Sequence, residues 1–300
     1  MSIKSELIES MTEWRRHMHQ FPECGFDLPL TADFVAEKLE SFGLEVTRNV
    51  GKKGVVAKLS CGDGQNSIGL RADMDALFIQ EQNTFAHKSK HEGQMHACGH
   101  DGHSAMLLGA AAYLAEHRDF NGTVYFIFQP DEEHGQGAQA MIDDGLFERF
   151  PMDSVYGLHN MPGLAEGHVM VRPGSLMASE SGFEIVINGV GGHAAMPHRG
   201  VDPIVVGSQV VLALQTIVSR NLSAIEETAV VSVTDFQTNG TTNVIPAQVT
   251  ITGDCRCFTE DALAKIEQSM ERIVAGTCQA AGADYQFTFT NTFYPTVNSA

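Results

Sequence analysis

Three histidines, one cysteine and one aspartate fall within the nine residues MHACGHDGH, 95–103. Cys98 and His100 stand two apart. In a turn that leads into a helix, both side chains can reach one ion, and a thiolate beside an imidazole suits zinc or another transition metal. Asp101 could orient an imidazole from behind, while His96 and His103 read as structural or solvated residues. A plain polar turn and a redox site are the competing readings. The redox reading is the weaker, because no resolving cysteine lies near Cys98.

Three other stretches carry donors. In QPDEEHG (129–135), Pro130 breaks an apolar run and Asp131, Glu132 and Glu133 follow side by side. Adjacent carboxylates repel, so crowding them needs a reason. One can ligate a metal while its neighbour stays free as a general base; the alternative is an acidic turn on an acidic protein. GLHN (157–160) places His159 after an apolar strand, where a lone histidine is more often a hydrogen-bonded structural residue. RADMD (71–75) carries Asp73 and Asp75, which share a side if strand alternation continues, or act as caps. The four stretches together supply enough ligands for two metal ions, and the joint pattern is that of a metallohydrolase site.

These donors need elements to position them. Apolar residues at helical spacing predict helices over 3–19, with Leu7, Ile8, Met11, Trp14 and Met18 on one face, and over 31–42. Strand patterns follow at 54–60 and 67–75, a helix at about 104–117, a buried strand at 123–129, a short helix at 137–144 and a strand at 154–160. Strands alternating with helices imply an α/β layer with a mostly parallel sheet, whose strand ends host the site. After about residue 180 the rhythm changes to strand 183–190, helix 202–221, strands 228–237 and 248–258, helix 260–281 and strand 283–293. That β-α-β-β-α-β order is the ferredoxin-like unit. Two domains are therefore expected, 1–180 and 181–293.

Composition sets outer limits. With 43% hydrophobic residues the chain is globular. Nineteen Lys and Arg against 37 Asp and Glu leave a net charge of −18, which argues against nucleic acid and anionic membranes as partners. No run of about 18 apolar residues predicts a membrane span. The N-terminus shows no secretory pattern, so a cytoplasmic protein with free thiols at its six cysteines is expected.

The motifs WRRHMHQFPECGF, LRADMDAL, HACGHDGHSAMLLGAA, FQPDEEHGQGAQAMIDDG, YGLHNMPGLAEG and GGHAAMPHRGVDPI span nearly the whole chain. In that order they resemble the hippurate hydrolase group of metal-dependent amidohydrolases. This group includes N-acyl-amino-acid and indole-acetyl-amino-acid hydrolases, within the aminoacylase and carboxypeptidase G superfamily. The resemblance implies an α/β fold: a catalytic domain with a mixed sheet, plus an inserted ferredoxin-like (βαββαβ) lid domain. It implies Cys98, His100, Glu133 and His159 as ligands of two divalent ions, Cys98 bridging, with zinc or manganese foremost and cobalt or nickel also suited. Glu132 matches the general base, and Asp75 an acid near base and metal. Asp73 stands where the superfamily usually has a ligating histidine and is not counted. His193 matches a histidine that polarises the scissile carbonyl, whereas His198 reads as a loop residue. Asn243 and Arg256 match positions that hold the substrate carboxylate, for which a guanidinium is well shaped.

The implied reaction is hydrolysis of the amide of an N-acyl amino acid or dipeptide, by a homodimer or homo-oligomer paired through the lid. Members of the group continue for a further segment that returns to the catalytic domain at about 294 and carries a last ligating histidine, so that ligand is expected beyond Ala300. A dipeptidase or aminoacylase of the same superfamily, and a metal-binding dimer impaired in catalysis, are the alternative readings.

Overall fold

The structure is a computed structural model and describes residues 3–299. It divides into two compact units, Met1–Glu166 and Gly167–Ala300.

The first unit opens with α1 (Ser5–Gln20), α2 (Pro29–Ser41), β1 (Glu45–Val50), β2 (Gly54–Cys61) and β3 (Ser67–Asp73). It continues through α3 (His100–His117), β4 (Gly122–Gln129), α4 (Gly137–Asp143), α5 (Leu146–Arg149) and β5 (Ser154–Gly157). The sheet order is β1-β2-β4-β3-β5. β3 runs parallel to β4 and β5, whereas β1–β2 and β2–β4 are antiparallel. The sheet is thus mixed, not mostly parallel as strand–helix alternation alone suggested. Two pairings make the difference: β1, whose EVTRNV carries too little apolar patterning to read as a strand, forms a hairpin with β2, and β2 runs antiparallel to β4.

β4 is central and alternates cleanly. Phe126 and Phe128 enter a core with Val55, Ala57, Leu39 and Leu108. Tyr125 and Ile127 face the opposite side, against Val56, Met141 and Leu146. Each face buries its own apolar cluster, the arrangement of a sheet covered on both sides. α1 lies directly on α3, because a β-carbon at Gly109 would sit 2.7 Å from Met11 Cε. Ile8 is 53% exposed, outside the face assigned to it from spacing.

Two boundaries matter for the site. α3 starts at His100, four residues before the expected start. Gly99 takes φ +93°, a left-handed conformation that costs glycine little, and so turns the chain straight into the helix. His100 and His103 therefore share one helical face. β5 stops at Gly157, which leaves His159 on the loop that follows.

The second unit holds β6 (Gly174–Met177), β7 (Glu180–Asn188), β8 (Gly192–His193), α6 (Pro203–Thr216) and β9 (Ala229–Thr238). β10 (Val244–Ile245), β11 (Gln248–Cys257), α7 (Glu260–Ala281), β12 (Asp284–Phe293) and β13 (Thr296–Asn298) complete it. Its main sheet has the order β12-β7-β11-β9, antiparallel throughout, which is the ferredoxin-like arrangement. α6 and α7 close one core around Ile185, Ile187, Val210, Leu214, Ile251, Ile266 and Val274. The unit begins at Gly167, ahead of the expected 181, because β6 pairs with β13 beside the sheet. Residues from about 294, expected to return to the first domain, form β13 in that pairing.

Asp202 and Pro203 start α6, the aspartate accepting from Ile204 N at 2.9 Å. The segment Pro203–Asn221 is long and apolar enough by composition to cross a membrane. No such span was expected from the sequence, but here Val206, Val210, Leu214 and Ile217 are packed in the core.

Candidate metal centre

β3 and β4 are parallel neighbours with Asp73 opposite Gln129, so the loops that follow them leave the same edge of the sheet. Asp75, fully buried, uses that proximity. Its Oδ1 accepts from Glu132 N at 3.0 Å and its Oδ2 from Glu133 N at 3.1 Å. One carboxylate thereby fixes the backbone of both glutamates. Asp131, just before them, holds φ +47° and bonds His134 Nδ1 at 2.6 Å.

α3 delivers His100 into this edge. Its Nδ1 lies 3.4 Å from Asp75 Oδ1. Its Nε2 faces Glu133 Oε1 at 3.6 Å, Glu132 Oε2 at 3.7 Å and Asp73 Oδ2 at 3.8 Å. β5 is parallel to β3 and brings the last donor. His159 Nε2 lies 3.4 Å from Cys98 Sγ, and its Nδ1 bonds Asn160 O at 2.7 Å. That second bond assigns the proton to Nδ1 and leaves Nε2 free as a donor atom.

Ligand atoms gather within 4.8 Å of one another in three sets: Cys98, His100 and His159; His100, Glu132 and Glu133; and Asp73, His100 and His103. Both nitrogens of His100 and Oε1 of Glu133 are buried without a hydrogen-bond partner. Buried polar atoms are normally paired, so a cation taking the lone pair of one His100 nitrogen and of Glu133 Oε1 fits this arrangement.

The electrostatics agree. Burial opposes charge on His100, yet the nearby Asp75, Cys98 and Asp73 push its pKa up to about 11. The imidazoles of His100 and His159 beside it pull the Cys98 thiol down, towards thiolate. The same thiol, against burial, raises His159 to about 9. Burial raises Glu132 and Glu133, with His100 pulling the other way. Burial also pushes Asp73 up, but His103 and Arg71 outweigh it and hold the carboxyl below the usual range. The pocket carries excess negative charge and favours positive charge at its centre.

Cys98, His100, Glu132, Glu133, His159 and Asp75, singled out from sequence, are therefore brought together. Three neighbouring residues take defined structural places. Asp101 does hold an imidazole, but it is that of His19, at 2.9 Å, along with Arg15 at 3.2 Å. His96 is buried, and desolvation lowers its pKa to about 4, so it is neutral rather than solvated. His103 is buried too, bonded to Asp73 at 2.7 Å. Sequence reasoning missed His19, Arg71 and Asn160. The spacing of His103 from His100, three residues, was the one available signal for a shared face.

In the second unit, His193 and Asn243 are adjacent. His193 pairs with Val244 across β8 and β10, and Ala194 N donates to Asn243 O at 3.0 Å. Arg256 lies on β11, its guanidinium engaged by Glu180 at 2.9 Å and Asp254 at 3.1 Å.

A chain that carries both an α/β unit whose strand ends gather thiol, imidazole and carboxylate donors and a ferredoxin-like unit has the make-up of a metal-dependent hydrolase. The family model described as Peptidase family M20/M25/M40 matches residues 69–298, and the chain belongs to this family. It is 44% identical over 283 residues to a hippurate hydrolase of Campylobacter jejuni, covering 93% of this chain and 73% of the relative. It is 44% identical over 299 residues to an N-acyl-L-amino acid amidohydrolase of Geobacillus stearothermophilus, covering 99% and 80%. Among solved structures, the YXEP protein of Bacillus subtilis, a dinuclear metal binding peptidase, superposes with a TM-score of 0.84 at 33% identity, covering 99% of this chain and 77% of that one. The chain is thus an amidohydrolase-type member of the family.

Proposed function

We propose that the chain hydrolyses the amide bond of N-acyl amino acids, hippurate-like substrates foremost. The observation that carries this is the paired Glu132 and Glu133, backbone-locked by Asp75 beside His100, Cys98 and His159. The 44% identity to hippurate and N-acyl-amino-acid hydrolases supports the substrate class.

Cys98, His100, Glu133 and His159 would hold two divalent ions. Zinc or manganese is the first choice, with cobalt or nickel compatible with the same donors. Bound ions supply Lewis acidity, which acidifies water and polarises a carbonyl. Glu132 takes the proton of the attacking water and later delivers it to the leaving amine. Its raised pKa, caused first by burial, brings it nearer the range in which a general base works at neutral pH. Asp75 keeps both glutamates in register. For the second unit, the proposal assigns His193 to the carbonyl oxygen and Asn243 and Arg256 to the substrate carboxylate. This unit acts as lid and pairs the homodimer.

Glu132→Gln tests the assignment. Loss of general-base catalysis is expected to lower kcat about 10²- to 10⁴-fold, with metal content by elemental analysis unchanged. Cys98→Ala is expected to lose metal. Full turnover by the Gln variant would refute the base. Hydrolysis of dipeptides in preference to hippurate and N-acetyl amino acids would move the substrate class to a dipeptidase.

A further inference from the structure

One of the three donor sets, Asp73 with His100 and His103, offers an alternative place for an ion. The bonding of His103 speaks against it. Its Nδ1 meets Asp73 Oδ1 at 2.7 Å, and its Nε2 is engaged twice by Asn160, by the backbone N at 3.0 Å and the side-chain Oδ1 at 2.5 Å. With both ring nitrogens engaged in hydrogen bonds, His103 has no lone pair left for a metal. Asp73 is committed as well. Arg71 holds Oδ2 at 2.6 Å, and Ser104 Oγ donates to its backbone oxygen at 2.8 Å.

We infer that Asp73 and His103 are positioning residues that aim His159, through Asn160, at the metal centre. The chain of bonds is continuous. Asp73 fixes the tautomer of His103. His103 captures the Asn160 N–H. The Asn160 carbonyl takes the proton of His159 Nδ1, at 2.7 Å, and this presents His159 Nε2 to Cys98 Sγ at 3.4 Å. The His103 ring also backs the His159 ring edge-on, with centroids 4.6 Å apart. Asn160 itself is seated on Gly99, the residue between Cys98 and His100, so the relay joins three ligands at one point. This inference rests on the metal-centre reading of Cys98, His100 and His159.

Cobalt titration of the metal-free chain tests it. The readouts are ions bound per chain, dissociation constant and the thiolate–cobalt charge-transfer band that reports Cys98. His103→Leu fills the space but removes both bonds. It is expected to bind as many ions as wild type and to keep the thiolate band, while the affinity falls about 10- to 100-fold, as for other residues that orient a ligand. His103→Gln, whose amide oxygen can accept the Asn160 N–H, is expected to recover most of that loss. Should the Leu variant not fold, Asp73→Asn carries the test, with full stoichiometry and weakened binding expected.

Loss of one ion per chain in either the His103 or the Asp73 variant, as in Cys98→Ala, would make these residues ligands and overturn the inference. So would wild-type affinity in both. A wild-type chain without the thiolate–cobalt band would instead overturn the metal-centre reading, and this inference with it.

Discussion

Gly99→Ala is a demanding test of the site, because two independent costs can be separated. The first is the backbone. Gly99 has φ +93° and ψ 16°, and forcing an L-residue into a sparsely populated region costs about 1–3 kcal/mol. The second is space. A β-carbon built on Gly99 sits 2.9 Å from Asn160 Cγ and 3.2 Å from Asn160 Nδ2, with Oδ1 closer still. The Asn160 side chain cannot step back freely, since its Oδ1 is bonded to His103 Nε2 at 2.5 Å. Overpacking of this kind costs a further roughly 1–3 kcal/mol. All the obstructing atoms lie beyond the Asn160 β-carbon, so Asn160→Ala removes the clash and leaves the backbone cost. The assay is chemical denaturation of the metal-free chain in the four-member cycle. Gly99→Ala is expected to be cheaper by about 1–3 kcal/mol in the Asn160→Ala background than in wild type. Equal costs in both backgrounds, within about 0.5 kcal/mol, would show that the close approach is not constraining. A Gly99→Ala protein as stable as wild type would refute both parts of the reasoning.

Two further outcomes follow from charge and metal linkage. His19 is held between Asp101 and Glu81, and chiefly by the Asp101 bond its folded pKa is raised, while Asp101, despite burial, is lowered by the same bond. The His19 contribution is fully present below about 6.5 and is lost as pH rises through its raised folded value; that of Asp101 is present above about 3.9 and is lost as pH falls. Melting temperatures of wild type and His19→Gln from pH 5 to 9 are expected to differ most at the acid end and converge at the alkaline end; a constant gap would count against the charged clamp. Removing metal with a chelator is expected to lower the melting temperature, and zinc or manganese restored to about 100 times its dissociation constant should add about 2.7 kcal/mol. Cys98→Ala should abolish that gain, and a metal-insensitive melt of the wild type would contradict the centre.

Much of this was legible in the residues. The apolar run TVYFIFQ could hardly be anything but a buried strand, and the ferredoxin-like unit followed from period changes alone. The donors at 98, 100, 132 and 133 stood out because thiol, imidazole and crowded carboxylate are costly to place idly, whereas His159 alone read as structural and gained its role only from the joint pattern and the resemblance. What stayed hidden were residues whose role depends on geometry. Asn160 acts partly through its backbone, so its side-chain type gives no warning. His103 read as either structural or solvated, and the left-handed Gly99, by moving the start of α3 forward, buries it. β1 escaped because an edge strand of EVTRNV buries little. Partner choice is the least legible property: Asp101 had the right type to orient His100, and the fold gave it His19.

The order of strands in the second unit has a consequence for modularity. β7 and β12 are antiparallel neighbours, with Glu180 opposite Phe293, and β6 and β13 prolong the pairing with Met177 opposite Thr296. The chain therefore enters and leaves the ferredoxin-like sheet at one point, through a two-stranded stalk. Segments whose ends meet in this way can be gained, lost or exchanged with little effect on what flanks them. The unit is built as a cassette, and a short hairpin joining residue 177 to residue 296 is the natural place to cut it out or to graft in another.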